Sequence, residues 1–267
     1  MGRAKEETDR MKGRQNMDRS SRDKFRDFLK DTVRQEIDFS NTDQNKGMAP
    51  PPLEKPVPAG ARCIELVPAE KLTDISAVNV FTAIAGRRSR RAFNPAPLTL
   101  KELSFLLWAT QGVRRITSPG NAFRVVPSAG CRHALETYLC VFSVEGLGEG
   151  IYRYLPLEHQ LLPVSQPARL SSRMSEAALG QDFVGKSAVT FIWTAIPYRM
   201  EWRYDIAAHK VIAIDAGHVC QNLYISCEAI HAATCAVAAY DQKLLDNLLG
   251  VDGNEEFAIY LAPVGKT

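Results

Sequence analysis

The chain lacks the cysteine and histidine patterns on which metal and redox centres are built. Its six cysteines stand apart at 63, 131, 140, 220, 227 and 235, with no C-x-x-C pair and no His/Cys group at ligand spacing. That disfavours zinc and iron–sulfur chemistry. Reduced, mostly buried thiols acting as small apolar groups are the expectation. The five histidines are isolated in sequence and no nucleophile elbow accompanies them, so a Ser-His-Asp hydrolase is disfavoured and each ring is expected to be structural. No window approaches the roughly 18–20 uninterrupted apolar residues of a membrane span. Residues 1–14 are charged and lack an apolar signal core, and Glu6 stands where a myristoylation signal would place Ser or Thr. A cytoplasmic protein with no membrane attachment is expected.

A strong charge bias is also missing from the body of the chain. The formal net charge is +3, but residues 1–36 hold eleven of the 33 Lys/Arg and eight of the 30 Asp/Glu, leaving 22 of each sign beyond them. Such balance argues against a dedicated nucleic-acid surface. Two glycine strings lack the context that would give them a nucleotide. Residues 180–187 fit the spelling of a P-loop, yet a helix-like stretch precedes them and a strand-like one follows, the reverse of the strand–loop–helix cradle. Gly146-Leu147-Gly148-Glu149-Gly150 brings its third glycine one position early and opens no helix, which disfavours a Rossmann site.

What is present divides the chain into an N-terminal charged helix and Pro-rich arm over 1–60 and one globular domain over 61–267. Phe25, Phe28, Leu29 and Val33 suit one weak amphipathic helix. Prolines 50, 51, 52, 56 and 58 forbid regular helix over 41–58 and favour an extended arm, either wrapped on a partner subunit or disordered. Further on, Thr99-Leu100-Lys101-Glu102 spells a capping box, and Leu103, Leu106 and Leu107 recur at helical spacing until Gly112. Residues 138–144, 150–154 and 188–194 read as strands. Residues 168–179 and 215–231 read as helices, the second with a broad apolar face suited to burial or to a dimer interface. A short helix over 241–249 stopped by Gly250 and a last strand over 257–261 complete the pattern. Helices and strands mixed without regular alternation give an α+β fold.

Three segments carry chemistry. Arg87-Arg88-Ser89-Arg90-Arg91 gathers four guanidinium groups and a hydroxyl, which fits a grip on a phosphate, a solvated basic turn or a nucleic-acid patch. The small residues Val126-Pro127-Ser128-Ala129-Gly130 permit close backbone approach to a flat ligand. Tyr260-Leu261-Ala262-Pro263-Val264-Gly265-Lys266 is a strand-like end delivering a lone cation.

With these segments in this order, the chain resembles the nitroreductase family of flavin enzymes from about residue 77 onward. It is most similar to the streptolysin-type branch, which includes the azoline dehydrogenases of thiazole and oxazole peptide biosynthesis. Pro97-Leu98-Thr99-Leu100-Lys101-Glu102-Leu103, Leu107-Trp108-Ala109-Thr110-Gln111-Gly112 and Asp215-Ala216-Gly217-His218-Val219-Cys220-Gln221-Asn222-Leu223-Tyr224 match that branch. The resemblance implies a nitroreductase-like α+β fold, a central mixed β-sheet flanked by helices, in a homodimer with interlocking termini. It implies FMN at the dimer interface and ping-pong hydride transfer through flavin N5 from NADH or NADPH, a transient donor, to a small nitro or quinone-like acceptor. Two alternatives are an azoline dehydrogenase working with partner proteins and a non-catalytic flavin-binding sensor.

Carried over by position, the resemblance places Arg87, Ser89 and Arg91, with Arg88 beside them, at the phosphate and ribityl chain, and Lys266 completes the phosphate site. Pro127, Ser128, Ala129 and Gly130 lie against the isoalloxazine, usually from the other subunit, and Ala238 and Ala239 bring backbone amides towards N5. Relatives commonly have glycine at those two alanines and at His231. If φ is positive at the alanines, each is strained by roughly 1 kcal/mol or more. The azoline branch has a Lys-Tyr pair where this chain has Arg203 and Tyr204, and arginine does not readily accept a proton. An interface role for that pair is the competing reading.

Overall fold

The computed structural model describes residues 19–267 except Asp74, Ser76 and Pro119. The part of the expected N-terminal helix before residue 19 lies outside the described residues. The helices are α1 (Arg19–Asp27), α2 (Val80–Gly86), α3 (Leu100–Gln111), α4 (Leu170–Ala177), α5 (Asp182–Gly185), α6 (Tyr198–Tyr204), α7 (Ala208–Ala229) and α8 (Gln242–Leu249). The strands are β1 (Ile64–Glu65), β2 (Val113–Ser118), β3 (Asn121–Arg124), β4 (Leu135–Val141), β5 (Gly150–Leu155), β6 (Gln160–Ser165), β7 (Val189–Ala195), β8 (Ala232–Thr234) and β9 (Phe257–Lys266). The main sheet has seven strands in the order β1-β6-β5-β4-β7-β9-β8, paired antiparallel. Parallel bridges at Ser89–Thr234 and Leu98–Val144 add the mixed character. β2 and β3 form a separate hairpin.

Every residue of β4 and β7 is buried, which is why both read as continuous apolar runs rather than as alternating ones. The period of two then sorts their side chains between two cores. Leu139, Val141, Phe191 and Trp193 pack with Leu103, Leu106 and Leu107 of α3 and Ile212, Val219 and Leu223 of α7. On the opposite face, Tyr138, Cys140 and Ile192 pack with Leu170 and Met174 of α4 and Leu245 and Leu249 of α8. The sheet is thus a middle layer between two layers of helices.

Local signals set the helix ends. At α3 the capping box is made in both directions: Thr99 Oγ1 accepts from the Glu102 amide at 3.2 Å, and a Glu102 carboxylate oxygen accepts from the Thr99 amide at 2.9 Å. Asp241 caps α8 through the Leu244 amide at 2.9 Å, and Gly250 ends it with φ of 75°. The helix expected over 215–231 starts seven residues earlier, at Ala208. Residues 180–187 run through α5 into β7; Lys186 pairs with Asp182 at 2.9 Å and Ser187 donates to the Val184 carbonyl at 3.1 Å. Residues 146–150 lead directly into β5.

The Pro-rich arm lies along the body of its own chain. Its backbone makes no ladder there, so its carbonyls are free to accept. Arg124 donates to the Leu53 carbonyl at 3.0 Å, Arg153 to those of Lys55 and Pro56 at 3.0 Å each, and the Trp202 indole to that of Met48 at 3.1 Å. Lys55 adds an ion pair with Glu256, and its amide donates to Glu136 at 2.9 Å.

Glu54 makes this attachment pH-dependent. Burial pushes its carboxyl up to about 7, helped by the charges of Glu158 and Glu136 and opposed by the Leu157 amide, which donates to it at 3.2 Å. A carboxyl raised in the folded state binds its proton more tightly there than in the unfolded chain. Its stabilising contribution is therefore full below the ordinary carboxylate range and is lost as pH rises towards 7. The arm is expected to be cut faster by added protease at pH 8 than at pH 5.5, after correction for protease activity. Glu54→Gln is expected to flatten that difference; an unchanged pH profile in the variant would remove Glu54 as its source.

Candidate active site

The cationic run begins where α2 stops. Asn79 caps that helix by accepting from the Thr82 amide at 2.8 Å, and after Gly86 the chain continues as an extended stretch that bridges Ser89 to Thr234 of β8. Arg88 turns back onto the carbonyls of Ala85, Gly86 and Arg87, at 2.8, 3.3 and 2.9 Å. It thereby caps the negative end of α2 instead of joining its neighbours. Arg87 lies over the Tyr224 ring, 5.1 Å from the centroid. The Ser89 hydroxyl shares a 2.9 Å hydrogen bond with the Tyr224 hydroxyl, which also accepts from the Ala236 amide at 2.8 Å. Arg91 sits over Phe183 at 5.8 Å, against the turn from which Gln181 donates to the Ala239 carbonyl at 3.0 Å. Among the described residues, Arg87, Arg88, Arg90 and Arg91 make no ion pair with a carboxylate.

Ala238 lines an apolar cleft of about 550 Å³ together with Ile212, Ala216 and Gly217 of α7, Phe257, Ile259 and Tyr260 of β9, and Phe28 from the N-terminal segment. The strain anticipated at the two alanines is absent, since neither has a positive φ; His231 has one, at 51°. Lys266 is not the lone cation expected from the sequence. Its ammonium pairs with Glu102 of the α3 capping box and donates to the Ile230 carbonyl at 2.7 Å, so most of its donor capacity is already used.

A second group forms around residues 127–130. Gly130 has φ of 57°, and a Cβ there would lie 2.6 Å from the Tyr204 hydroxyl and 2.9 Å from Arg203 Nε. Arg203 and Tyr204 close α6, and only a glycine leaves them room. Asp215 of α7 is 5% exposed and one of its carboxylate oxygens has no partner. Burial pushes its pKa up, opposed by hydrogen bonding from the Ser128 side chain and the Ala129 amide. Nearby His133 is pushed down to about 3, by burial first and then by the charge of Arg124, while its Nε2 meets the Ala122 carbonyl at 3.1 Å. It is a neutral structural ring.

The two groups hang from one helix. Asp215 holds the 128–129 turn, and Tyr224 holds Ser89 and Ala236. These anchors are nine positions apart, about two and a half turns at 3.6 residues per turn, so they project from opposite sides of α7. Within one chain the phosphate-side and ring-facing residues therefore do not converge on a single point. Asp215, Tyr224, Gln181 and Arg132 were not identified as site residues from the sequence. Asp215 and Tyr224 stood at the two ends of a segment matching the family branch, and Gln181 in the string of P-loop spelling, but neither context gave them a role in the site.

A nitroreductase family model matches residues 84–266. The chain belongs to the nitroreductase family. Its members are oxidoreductases, and six of the seven strands of the main sheet, β4 to β9, together with the run after α2, fall within the matched segment. A protein of Methanocaldococcus jannaschii named as a nitroreductase is 31% identical over 196 residues, covering 73% of this chain and 95% of that protein. The microcin B17-processing protein McbC of Escherichia coli is 23% identical over 138 residues, 50% of this chain and 51% of McbC. Among solved structures, a nitroreductase from Ralstonia eutropha superposes with a TM-score of 0.63 at 25% identity, covering 82% of this chain and 94% of that one. A nitroreductase from Exiguobacterium sibiricum, solved in complex with FMN, superposes with a TM-score of 0.51 at 13% identity, covering 72% and 90%. That last likeness bears on the fold alone.

Among the described residues no helix is long and apolar enough to cross a membrane, and no group of His, Cys, Asp and Glu is arranged to hold a metal ion. All six cysteines are free, and four are buried.

Proposed function

We propose that this protein is an FMN-dependent oxidoreductase that passes reducing equivalents from NADH or NADPH to a small organic acceptor. The observation that carries this reading is the Tyr224 hydroxyl, which joins Ser89 of an unneutralised cationic run to Ala236, two residues from the wall of the apolar cleft. A ligand with a phosphate at one end and a flat apolar ring at the other matches that donor set. Arg87 and Ser89 would hold the phosphate, with Arg91 at its edge, and the segment around Ala238 would flank the ring. FMN, when bound, supplies reversible acceptance of a hydride. The chain's own part is to orient that group, exclude water from the cleft and keep charge where it stabilises the reduced form.

A dimer belongs to this reading. Residues 127–130 point away from the run at 87–91, so the ring-facing contact would come from the partner copy. The outer side of α7, with Ala213, Ile214, Gly217 and His218 exposed, offers the surface. A second reading, azoline oxidation on a peptide with partner proteins, is favoured by the Tyr204 hydroxyl at the Gly130 turn. Arg203 beside it, as a poor proton acceptor, tells against that reading.

Purified protein is expected to show a flavin absorbance band that bleaches anaerobically on addition of NADH or NADPH. A flavin that stays oxidised with both would favour the peptide reading. A protein that neither carries nor takes up FMN would end the flavin assignment.

A further inference from the structure

Arg132 and Arg203 both lie at the Gly130 turn, close enough that, after burial, the charge of Arg203 helps hold the Arg132 guanidinium below its ordinary range. The Arg203 Nε would be 2.9 Å from a Cβ at Gly130, so its guanidinium lies directly over bare backbone. Arg132 is 6% exposed; it stacks on the Trp202 ring at 4.9 Å, gives a donor to the Gly120 carbonyl and keeps its Nε without a partner. Among the described residues neither arginine has a carboxylate at ion-pair distance.

The neighbouring acids are directed to other groups, Asp215 with one oxygen left unpartnered. Asp215 faces Ser128 and Ala129, Glu201 meets His209 at 2.7 Å, and Asp205 accepts from the Ile206 amide at 2.6 Å. Two like charges held together without a counter-ion destabilise one another. Paired with a phenol hydroxyl, their donors are complementary to an oxyanion, which arginine forks bind in bidentate fashion. A cleft of about 350 Å³ borders the same turn at Pro127, Ser128 and Cys131, the last adjoining Arg132 in sequence, and Arg114 and Arg124 also line it.

We propose that Arg203 and Arg132, with the Tyr204 hydroxyl, form a subsite for an oxyanion, so that the molecule acted on carries a carboxylate or a phosphate beside its reducible part. This rests on the oxidoreductase reading, and it gives the arginine at 203 a purpose: a permanent charge that anchors the substrate and moves no proton. The test is calorimetric titration of the purified protein with benzoate, phenyl phosphate and benzamide, which share a ring and differ in charge. At least one anion is expected to bind tenfold or more tightly than benzamide, and the better of the two identifies the group recognised. Arg203→Gln is expected to cut the preference to under threefold with an unchanged melting temperature, and Arg203→Lys, which keeps the charge but loses the fork, to fall between. Equal binding of benzamide, no binding of any of the three, or a preference that survives in Arg203→Gln would overturn the proposal. Flavin content, read separately by absorbance, shows whether the oxidoreductase reading fails instead.

Discussion

Arg199→Ala is expected to lower the unfolding free energy by about 3–5 kcal/mol, the usual cost of leaving a buried charge without its partner. Arg199 of α6 and Glu136 of β4 form an ion pair whose side chains are 3% and 2% exposed. Glu136 also accepts from the Lys55 amide, so the orphaned carboxylate would sit where the arm meets the sheet. The melting temperature should fall by roughly 6–20 °C, given about 2–4 °C per kcal/mol for a domain of this size. Urea unfolding followed by tryptophan fluorescence checks the magnitude, and a loss below about 1 kcal/mol would show that water reaches the pair. The double variant Glu136→Leu with Arg199→Met should recover much of the loss, because a buried pair replaced by apolar groups of similar volume is often neutral. If the double variant is as unstable as the single one, the pair is needed for the geometry of the arm and not merely for its own neutralisation.

The same region shows what the sequence could and could not carry. Helix α3 was legible to the residue, since the capping box at Thr99 and Glu102 and the stop at Gly112 are local signals with local causes. So was the stop of α8 at Gly250. The start of α7 was not, because Ala208 to Ile214 carries no N-cap side chain and no break in hydrophobicity; a 3-10 turn at Asp205–Ala207 leads straight into it. The arm was read as extended, either wrapped on a partner subunit or disordered, but not as docked on its own chain, since what fastens it there is a set of buried arginines up to 98 positions away in sequence. The β2–β3 hairpin escaped notice because its exposed Arg114, Arg115 and Thr117 hide the alternation that marks a strand.

For the site, residue identity was legible and allegiance was not. Four arginines within five residues announce a cationic patch, yet their spacing does not reveal that one of them caps its own helix. Likewise Lys266 reads as an isolated cation only because Glu102 lies 164 positions away. Both corrections come from the same physics: a charged donor takes the nearest acceptors the fold supplies, and these were helix-end carbonyls in one case and a capping carboxylate in the other.

That difference in allegiance predicts a pattern of effects rather than a single loss. Arg87→Ala is expected to weaken FMN binding about 10- to 100-fold, since a charge-assisted hydrogen bond is worth roughly 1.5–3 kcal/mol. Arg88→Ala should weaken it under about threefold, because that side chain is committed to the α2 carbonyls; its cost should appear as a few tenths to 1 kcal/mol of stability. Tyr224→Phe keeps the ring beneath Arg87 but removes the acceptor of the Ala236 amide, leaving a donor whose loss costs about 1–3 kcal/mol if it stays buried. It also frees Ser89. Its affinity loss should therefore approach that of Arg87→Ala while the cation–ring contact is retained. Titration of stripped protein with FMN, followed by quenching of flavin fluorescence, measures all three. Equal losses for Arg87→Ala and Arg88→Ala would mean that Arg88 leaves the helix end when ligand arrives, and the phosphate grip would then be assembled on binding instead of preformed.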